Sequence, residues 1–516
     1  MDIDTTVSTV AAVLGGFILL YGVCSLVIKE KLYISEASVA ILCGILCGPV
    51  GFNLINIDDW VYKDDVSRQF TRIVIAIQVM AAGVSLPKAY LRKEFKSLLI
   101  LLGPVMVFMW VLSGLCVWYF IPGLTFLEAL MIASCFTPTD PVLANSIVQG
   151  YFAEQHVPPN IRHLIVAESG ANDGLGYPFL FLAIYLIQMA TAGDAVLKWS
   201  WYIMGYEIDF SIVIGFAVGY VARKTLRFSE ERNWIDKESF LVYAIALSLF
   251  LMGSVGLLGS DDLLACFIAG NSFTWDDWFR TETENAHLTE VIDMLLNLSI
   301  FVYIGLTMPW SAFNSLETNL TIWKLLGLAA AVLLFRRLPV ILGLYKYIPA
   351  ISNWRQAIFM GWFGPMGVGA LFYYTIAIQF FETDGENAYA RLVIEPIIYF
   401  IILSSVVIHG ITIPIFFLGS FATRTLTKTN SKSSSLPNEV SVIQIMSEVY
   451  SDDIVFFYRP PYLTNLMSRM VRSFQPTIWI LQKWMVPKRK MFPTFELKAA
   501  YLHEPLRYLK CWVPAL

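Results

Sequence analysis

The chain is short of charge, of histidine and of any basic excess, and each shortage closes a class of function. Charged residues make up only 15% of its 516 positions, where a soluble globular chain carries about a quarter. Length alone would suggest about three soluble domains, but so little charge cannot clothe them. The net charge of −4 leaves no electrostatic footprint for nucleic acid. Five histidines and seven cysteines are scattered. Cys24, Cys43, Cys47, Cys116, Cys135, Cys266 and Cys511 lie mostly inside apolar runs, where cysteine is a small packing residue. No group has transition-metal spacing, and no cofactor is expected. The start, Met1-Asp2-Ile3-Asp4, lacks the basic stretch of a cleaved signal, so the first apolar run is expected to stay as a span.

What fills the chain is hydrophobic residue, 57%, with aromatics at 15%. Apolar runs of roughly twenty residues recur between Val10 and Phe417, each long enough to cross about 30 Å of hydrocarbon. The expected fold is an all-α polytopic membrane protein of about thirteen spans. They are placed at 9–28, 33–55, 69–86, 98–121, 124–150, 161–189, 203–222, 239–258, 260–273, 288–308, 321–346, 354–381 and 391–419. An odd count puts the termini on opposite sides. With the N-terminus outside, the inner loops collect Lys29, Lys31, Lys88, Arg92, Lys93, Lys96, Arg162, Arg223, Lys224, Arg227, Arg232 and Lys237. The acidic loop Thr274 to Glu290 opposes that assignment, but the balance gives N-out, C-in. Residues 1–420 form the membrane domain and 421–516 a cytoplasmic tail. Within the tail, Ser431 to Asn438 reads as a flexible linker, and Tyr462 to Phe492 mixes apolar side chains with Arg469, Arg472, Lys483, Lys488, Arg489 and Lys490. Such a stretch suits either an anionic lipid surface or a small packed subdomain.

Two spans carry helix breakers at their centres. The fifth reads Thr137-Pro138-Thr139-Asp140-Pro141, and two prolines around an aspartate predict unwinding there. The twelfth reads Gly361-Trp362-Phe363-Gly364-Pro365-Met366-Gly367-Val368-Gly369 and should break too. If spans 1–6 and 8–13 are two halves of opposite orientation, each break falls in the fifth span of its half. Paired interruptions in corresponding positions point to an inverted-repeat transporter with its site at the breaks.

The sixth span supplies the acid. It reads Glu168-Ser169-Gly170-Ala171-Asn172-Asp173 inside an apolar run, and intramembrane carboxylates are costly and functional by default. Ser169 and Asp173 are i and i+4 on one face. With Asp140 and the Thr139 carbonyl they offer oxygens to Na⁺ at Asp173. Glu168 and Asn172 share a neighbouring face. Asn172 is placed to bond the unwound fifth span, and Glu168 to make a structural ion pair with Arg336 or Arg337. A bare carboxylate in hydrocarbon is disfavoured, so Asp173 holds a proton or a cation. If the empty site cannot cross, exchange is obligatory. Asp261 and Asp262 open a short apolar segment, where first-turn acids are ordinary. His409, at the end of the last span, reads as a packed, hydrogen-bonded residue. Glu128, Glu207, Asp209, Asp293 and Glu395 read as solvated or capping residues near span ends.

At Thr139-Asp140-Pro141, Glu168-Ser169 with Asn172-Asp173, Phe335-Arg336-Arg337-Leu338-Pro339, Asp261-Asp262-Leu263-Leu264-Ala265 and His409-Gly410, the sequence resembles the cation/proton antiporter family, in particular its fungal plasma-membrane Na⁺/H⁺ branch. The resemblance covers roughly residues 10 to 420. It implies an inverted-repeat, NhaA-like fold of thirteen helices with two crossed discontinuous helices, a six-helix core, a dimerisation domain and a homodimer. It implies Asp173 as the ion- and proton-binding carboxylate, Asn172 as its signature neighbour, and Thr139 and Asp140 in the crossed segment. It makes Glu168 and Arg337 (or Arg336) a core bridge, and gives Asp261 and Asp262 a part in transport. His409 and Gln78 stand beside them as further candidates. Fungal members extrude Na⁺ and Li⁺, and some K⁺. One departure is the third span, where Gln78 is the only polar side chain between Ile75 and Gly83 and many relatives have a carboxylate.

Two rivals fit less well. A Na⁺-coupled symporter would need an organic-binding cluster beside the cation site, and none is visible. An intramembrane aspartyl protease would need a Gly-x-Gly-Asp order that Asn172-Asp173-Gly174-Leu175-Gly176 lacks. The chain is therefore expected to be a secondary transporter and not an enzyme, with membrane lipid around it.

Overall fold

The computed structural model describes residues 3–430, except 33, 58–59, 61, 142, 145–156, 284–287 and 385–387. The expected tail, 421–516, falls almost wholly outside the described residues, including its basic amphipathic stretch. The described chain is helical, without a strand. That is the arrangement in which each segment satisfies its own backbone groups in lipid.

The helices run in chain order as α1 (Ile3–Leu26), α2 (Glu36–Cys47), α3 (Lys63–Ser85), α4 (Phe95–Phe120), α5 (Phe126–Phe136), α6 (Pro159–Gln188) and α7 (Ala192–Glu231). They continue as α8 (Lys237–Leu257), α9 (Asp262–Phe273), α10 (Leu288–Leu306), α11 (Ile322–Phe335) and α12 (Leu338–Leu344). The last are α13 (Trp354–Trp362), α14 (Val368–Asp384) and α15 (Ala388–Asn430). Each expected span overlaps one of these or a pair of half-helices. Six helical stretches among the described residues are long and apolar enough to cross a bilayer, and five apolar helices are shorter.

Local chemistry sets several ends. Thr125 caps α5 in a capping box, accepting from the Glu128 amide while Glu128 accepts from the Thr125 amide at 2.7 Å. Asp261 caps α9 by accepting from the Leu264 amide at 3.0 Å. Small residues let helices close on one another, as is usual between membrane helices. At the crossing of α2 and α10, Gly44 and Gly305 bring backbones so near that a methyl on either would strike the carbonyl of the other helix.

The core centres on α6, which packs on α3, α5, α9 and α14. Around it the outer faces of α1, α4, α7 and α8 leave large apolar side chains exposed, such as Leu19, Val23, Trp118, Trp201, Phe250 and Leu257. An apolar outside on helices of this length suits lipid.

Both expected breaks are present. Beyond α5 the backbone from Thr137 to Asp140 is not helical and helix resumes at Pro141. Between α13 and α14 the five residues from Phe363 to Gly367 are likewise not helical. The two unwound stretches touch: the Asp140 amide donates to the Pro365 carbonyl at 2.8 Å.

Candidate ion-binding site

Unwinding frees amides at the start of each second half-helix and carbonyls at the end of each first one. Asp140 answers the amides. Its Oδ1 accepts from the Val368 amide at 2.8 Å, where α14 begins, and its Oδ2 from the Leu143 amide at 2.9 Å, just beyond its own break. A negative charge belongs at those positive ends. Arg336 answers the carbonyls. It donates to Phe136 O at 2.5 Å and Thr137 O at 3.0 Å, at the end of α5, and to Gly364 O after α13. One buried aspartate and one buried arginine thus serve all four half-helix ends of the crossing.

The second arginine does something else. Arg337 forms a bidentate pair with Glu168, at 2.5 and 2.7 Å, with both side chains 3% exposed. Of the two arginines left open by the sequence, Arg337 takes the carboxylate, while Arg336 holds backbone. The α11–α12 bend at these residues turns their side chains apart. Arg337 Nε also donates to Met360 O at 2.9 Å, tying the bridge to α13.

Asn172 reaches from α6 to the fifth-span break. Its Oδ1 accepts from the Thr139 amide at 3.2 Å, and its Nδ2 donates to Thr139 Oγ1 at 2.8 Å. Ser169 Oγ lies 3.1 Å from the same Thr139 hydroxyl. Asn172 therefore fixes Thr139, beside Asp140.

Asp173 differs from all of these. It is 1% exposed, and neither carboxylate oxygen has a hydrogen-bond partner among the described residues. Leaving a buried acceptor unmatched costs free energy, and for a carboxylate the cost calls for a proton or a cation. The surroundings leave room for one. Gly369 stands over it, and a methyl there would lie 2.7 Å from Asp173 Oδ1. Gly367 stands in the same way over Asp140. Tyr373 donates to the Asp173 backbone carbonyl, pinning this turn of α6 to α14.

The other candidates are distributed around this centre. Asp261 keeps one buried oxygen, Oδ2, without a partner. Asp262 accepts from Arg72 Nε at 2.8 Å, and Arg72 also donates to Met252 O. His409 is 3% exposed and braces the second break, with Nε2 3.0 Å from Trp362 O and Nδ1 3.2 Å from Ser405 Oγ. Ser405 in turn accepts from the Met366 amide at 2.8 Å. Gln78 is buried and donates to Asn297 Oδ1 at 2.7 Å. Two residues read as solvated or capping are more enclosed than that. Glu207 is 4% exposed, and Asp293 Oδ1 is buried with no partner. Sequence reasoning missed Arg72, Tyr373 and the Asp293 position. Arginine at the head of a span looks like an interfacial anchor, and tyrosine has no spacing signal in an aromatic-rich chain.

Two discontinuous helices crossing at buried carboxylates, in a bundle sheathed by apolar surface, define the fold of an inverted-repeat secondary transporter. The same fold is seen in the sodium proton antiporter MjNhaP1 from Methanocaldococcus jannaschii, with a TM-score of 0.59 at 17% identity over 80% of this chain and 100% of that one. The chain belongs to the sodium/hydrogen exchanger family, whose transmembrane family model matches residues 17–419. It is 43% identical over 423 residues to a probable Na⁺/H⁺ antiporter of Schizosaccharomyces pombe, covering 79% of this chain and 56% of that protein. It thus spans little more than half the length of that relative. It is 34% identical over 425 residues to a second Na⁺/H⁺ antiporter of the same yeast, covering 80% of this chain and 90% of the relative.

Proposed function

We propose that this chain is a secondary transporter, not an enzyme, that exchanges Na⁺ for H⁺ at Asp173 by alternating access. The observation that carries the reading is the buried, unpartnered Asp173 carboxylate between two crossed helix breaks. Occupied by a proton or by Na⁺, the site is neutral and can move past the barrier. Empty, it is a bare charge in a dry interior, and crossing is blocked. One ion therefore moves each way.

In this mechanism Asp173 is the shared ligand; Ser169, one turn away, and Thr139, on the fifth-span break, add hydroxyl or carbonyl oxygens. Asn172 holds Thr139, and Asp140 keeps the half-helices in register while adding negative charge. Glu168 with Arg337, and Arg336 at the two carbonyl ends of the crossing, hold the core as one body. Asp261 and Asp262 have a part in transport under this reading, and His409 braces the second break. Rocking of this core against the remaining helices would expose Asp173 to each side in turn. Li⁺ and K⁺ are further substrates under this reading. The resemblance to the fungal plasma-membrane branch supports a plasma-membrane location, and the loop charges support an N-terminus outside and a C-terminus in the cytoplasm. A homodimer, with its contact outside the crossed core, completes it.

The test is purified protein in liposomes carrying a pH dye. An inward Na⁺ pulse should drive proton efflux in the wild type and none in Asp173→Asn, with both proteins melting at similar temperatures. Sodium-driven proton movement that persists in Asp173→Asn would remove the aspartate mechanism.

A further inference from the structure

The last helix, α15, faces two ways. On one side Ser405 and His409 hold the second break, at the Met366 amide and the Trp362 carbonyl. On an adjoining side runs a stripe of Glu395, Tyr399, Val406 and Gly410, spaced i, i+4, i+11 and i+15, which is one face of a helix. That stripe meets α2, α3 and the end of α10, which supply none of the bonds described at the crossing. Glu395 Oε1 lies 3.3 Å from Lys63 Nζ, at the start of α3. The Tyr399 hydroxyl donates to Thr307 Oγ1 at 2.9 Å, just past α10. The Val406 carbonyl accepts from Ser38 Oγ on α2 at 3.4 Å, and a methyl on Gly410 would lie 2.6 Å from the same oxygen. The stripe is a seam between the crossed helices and their neighbours.

The bonds on this seam differ in kind from those that hold the crossing. The Lys63 and Glu395 side chains are 21% and 27% exposed, against 3% for both Glu168 and Arg337. A pair that water reaches adds little stability and parts cheaply, whereas a dry bidentate pair resists separation. Tyr399 adds one neutral hydrogen bond. Bonds of that strength suit a contact that is made and broken in every cycle.

Beside the bridge is a cavity of about 540 Å³, between the start of α3, the end of α14 and the start of α15. Both bridge partners line it, with Asp64, Asp65, Arg391 and Tyr374. Asp64 and Asp65 are exposed and Tyr374 is buried, so the cavity runs inward from the surface to Tyr374. There the Tyr374 ring meets the Tyr399 ring edge to face, with centroids 6.4 Å apart. Five residues before Tyr374 on α14 is Gly369, which stands over Asp173. The helix rise between them is about 7.5 Å.

We propose that the Lys63–Glu395 bridge and the Tyr399–Thr307 bond are an outer latch. They hold α15 against α3 and α10, close the way from the cavity to Asp173, and part when the core rocks to admit an alkali cation from that side. The latch rests on the exchange reading and the orientation given above.

The test reads access without transport. Ala370, 4% exposed, lies one turn before Tyr374 on the same face of α14. Ala370→Cys in lipid nanodiscs is reacted with N-ethylmaleimide, and labelling at position 370 is followed by mass spectrometry. Ile378→Cys, in the cavity wall, is the position that should react alike in every variant. With the latch intact, position 370 should react slowly. Lys63→Met with Tyr399→Phe should speed it about tenfold, the shift expected from losing one exposed pair and one hydrogen bond. Lys63→Arg in place of Lys63→Met keeps the charge and should return most of the protection. An unchanged rate at position 370 in the cut variant overturns the latch, even where the melting temperature falls, since that marks a structural contact. Equal rates with Lys63→Arg and Lys63→Met overturn it too. Should Ala370→Cys fail to fold, a cross-link carries the test. Lys63→Cys with Glu395→Cys, joined by a bifunctional methanethiosulfonate, should stop Na⁺-driven proton flux in liposomes, and a reductant should restore it. Full flux in the cross-linked protein overturns the latch. Cutting the latch in Asp173→Asn should open position 370 equally. Exchange that survives in Asp173→Asn defeats the exchange reading and leaves the labelling result standing.

Discussion

The Asp140 carboxylate accepts the Val368 amide at 2.8 Å, so an acid on one broken helix caps the second half of the other. Its companion oxygen accepts from Leu143 at 2.9 Å, and its own amide donates to Pro365. Asp140 is therefore tied into backbone on three sides, while Asp173 is tied at neither oxygen. The two aspartates, alike in the sequence as buried acids near a break, differ in the structure: one builds the crossing, and the other, under the proposed exchange, faces the ion.

That division sets an order of stabilities. Asp140→Ala strands two buried amides, each at about 1–3 kcal/mol. Asp140→Asn keeps a carbonyl oxygen for one of them and loses the charge that suits both half-helix starts. Melting temperatures in detergent should fall from wild type to Asn to Ala. Asp173→Asn should melt close to wild type while transporting nothing. If Asp140→Ala melted like the wild type, the capping role would be lost.

Gly369 makes a sharper test of the site than a charge change does. A methyl there would meet Asp173 Oδ1 at 2.7 Å, inside normal contact, and the nearest atoms all belong to that carboxylate. Gly369→Ala should weaken Na⁺ exchange by at least about tenfold, equal to ~1.4 kcal/mol. Gly103→Ala, whose methyl meets nothing within 4 Å, is the control and should transport normally. Equal rates for the two alanine variants would place the ion path elsewhere.

The bridge between Glu168 and Arg337 is bidentate, and both side chains are 3% exposed. Removing one partner leaves the other charge buried and alone, a cost of about 3–5 kcal/mol. Glu168→Ala should lower the melting temperature strongly. The paired change Glu168→Gln with Arg337→Met, which removes both charges, should lower it less. A double-mutant cycle with no coupling between these sites would count against the bridge.

Much of this was legible in the sequence. Pro138 and Pro141 around Asp140, and Gly364-Pro365 with Gly367, mark both breaks by backbone chemistry alone. The Glu168, Ser169, Asn172, Asp173 spacing places four polar side chains on adjoining faces of one helix. What the sequence could not resolve lies where distant chain segments meet. Arg336 and Arg337 are adjacent, of equal charge and equally apolar in context; only the bend between α11 and α12 sends one to Glu168 and the other to Phe136, Thr137 and Gly364. Arg72 pairs with Asp262 across 190 positions. Asp293 reads as a span-end acid because it lies a few residues into its helix. Packing of α3 against α10 turns that end inward, and no local pattern records it.

Arg336 carries the last prediction, because its task is one of shape as much as charge. A guanidinium presents donors in a fixed fork, so one group can reach Phe136 and Thr137 with one nitrogen and Gly364 with the other. A lysine ammonium is a compact point charge and cannot hold both breaks at once. Arg336→Lys should therefore keep the charge and still loosen the crossing, with a lower melting temperature and slower Na⁺-driven proton flux. Arg336→Gln, which lacks the charge as well, should do worse in both. The two half-helix ends should also loosen together, visible as faster hydrogen exchange of the Asp140 and Val368 amides in the lysine variant. Those amides are bonded to Pro365 and Asp140, and neither touches Arg336 itself. Their release would show that the arginine acts by holding the two breaks in register. Unchanged exchange at both positions, with Arg336→Lys transporting normally, would reduce Arg336 to a general positive charge.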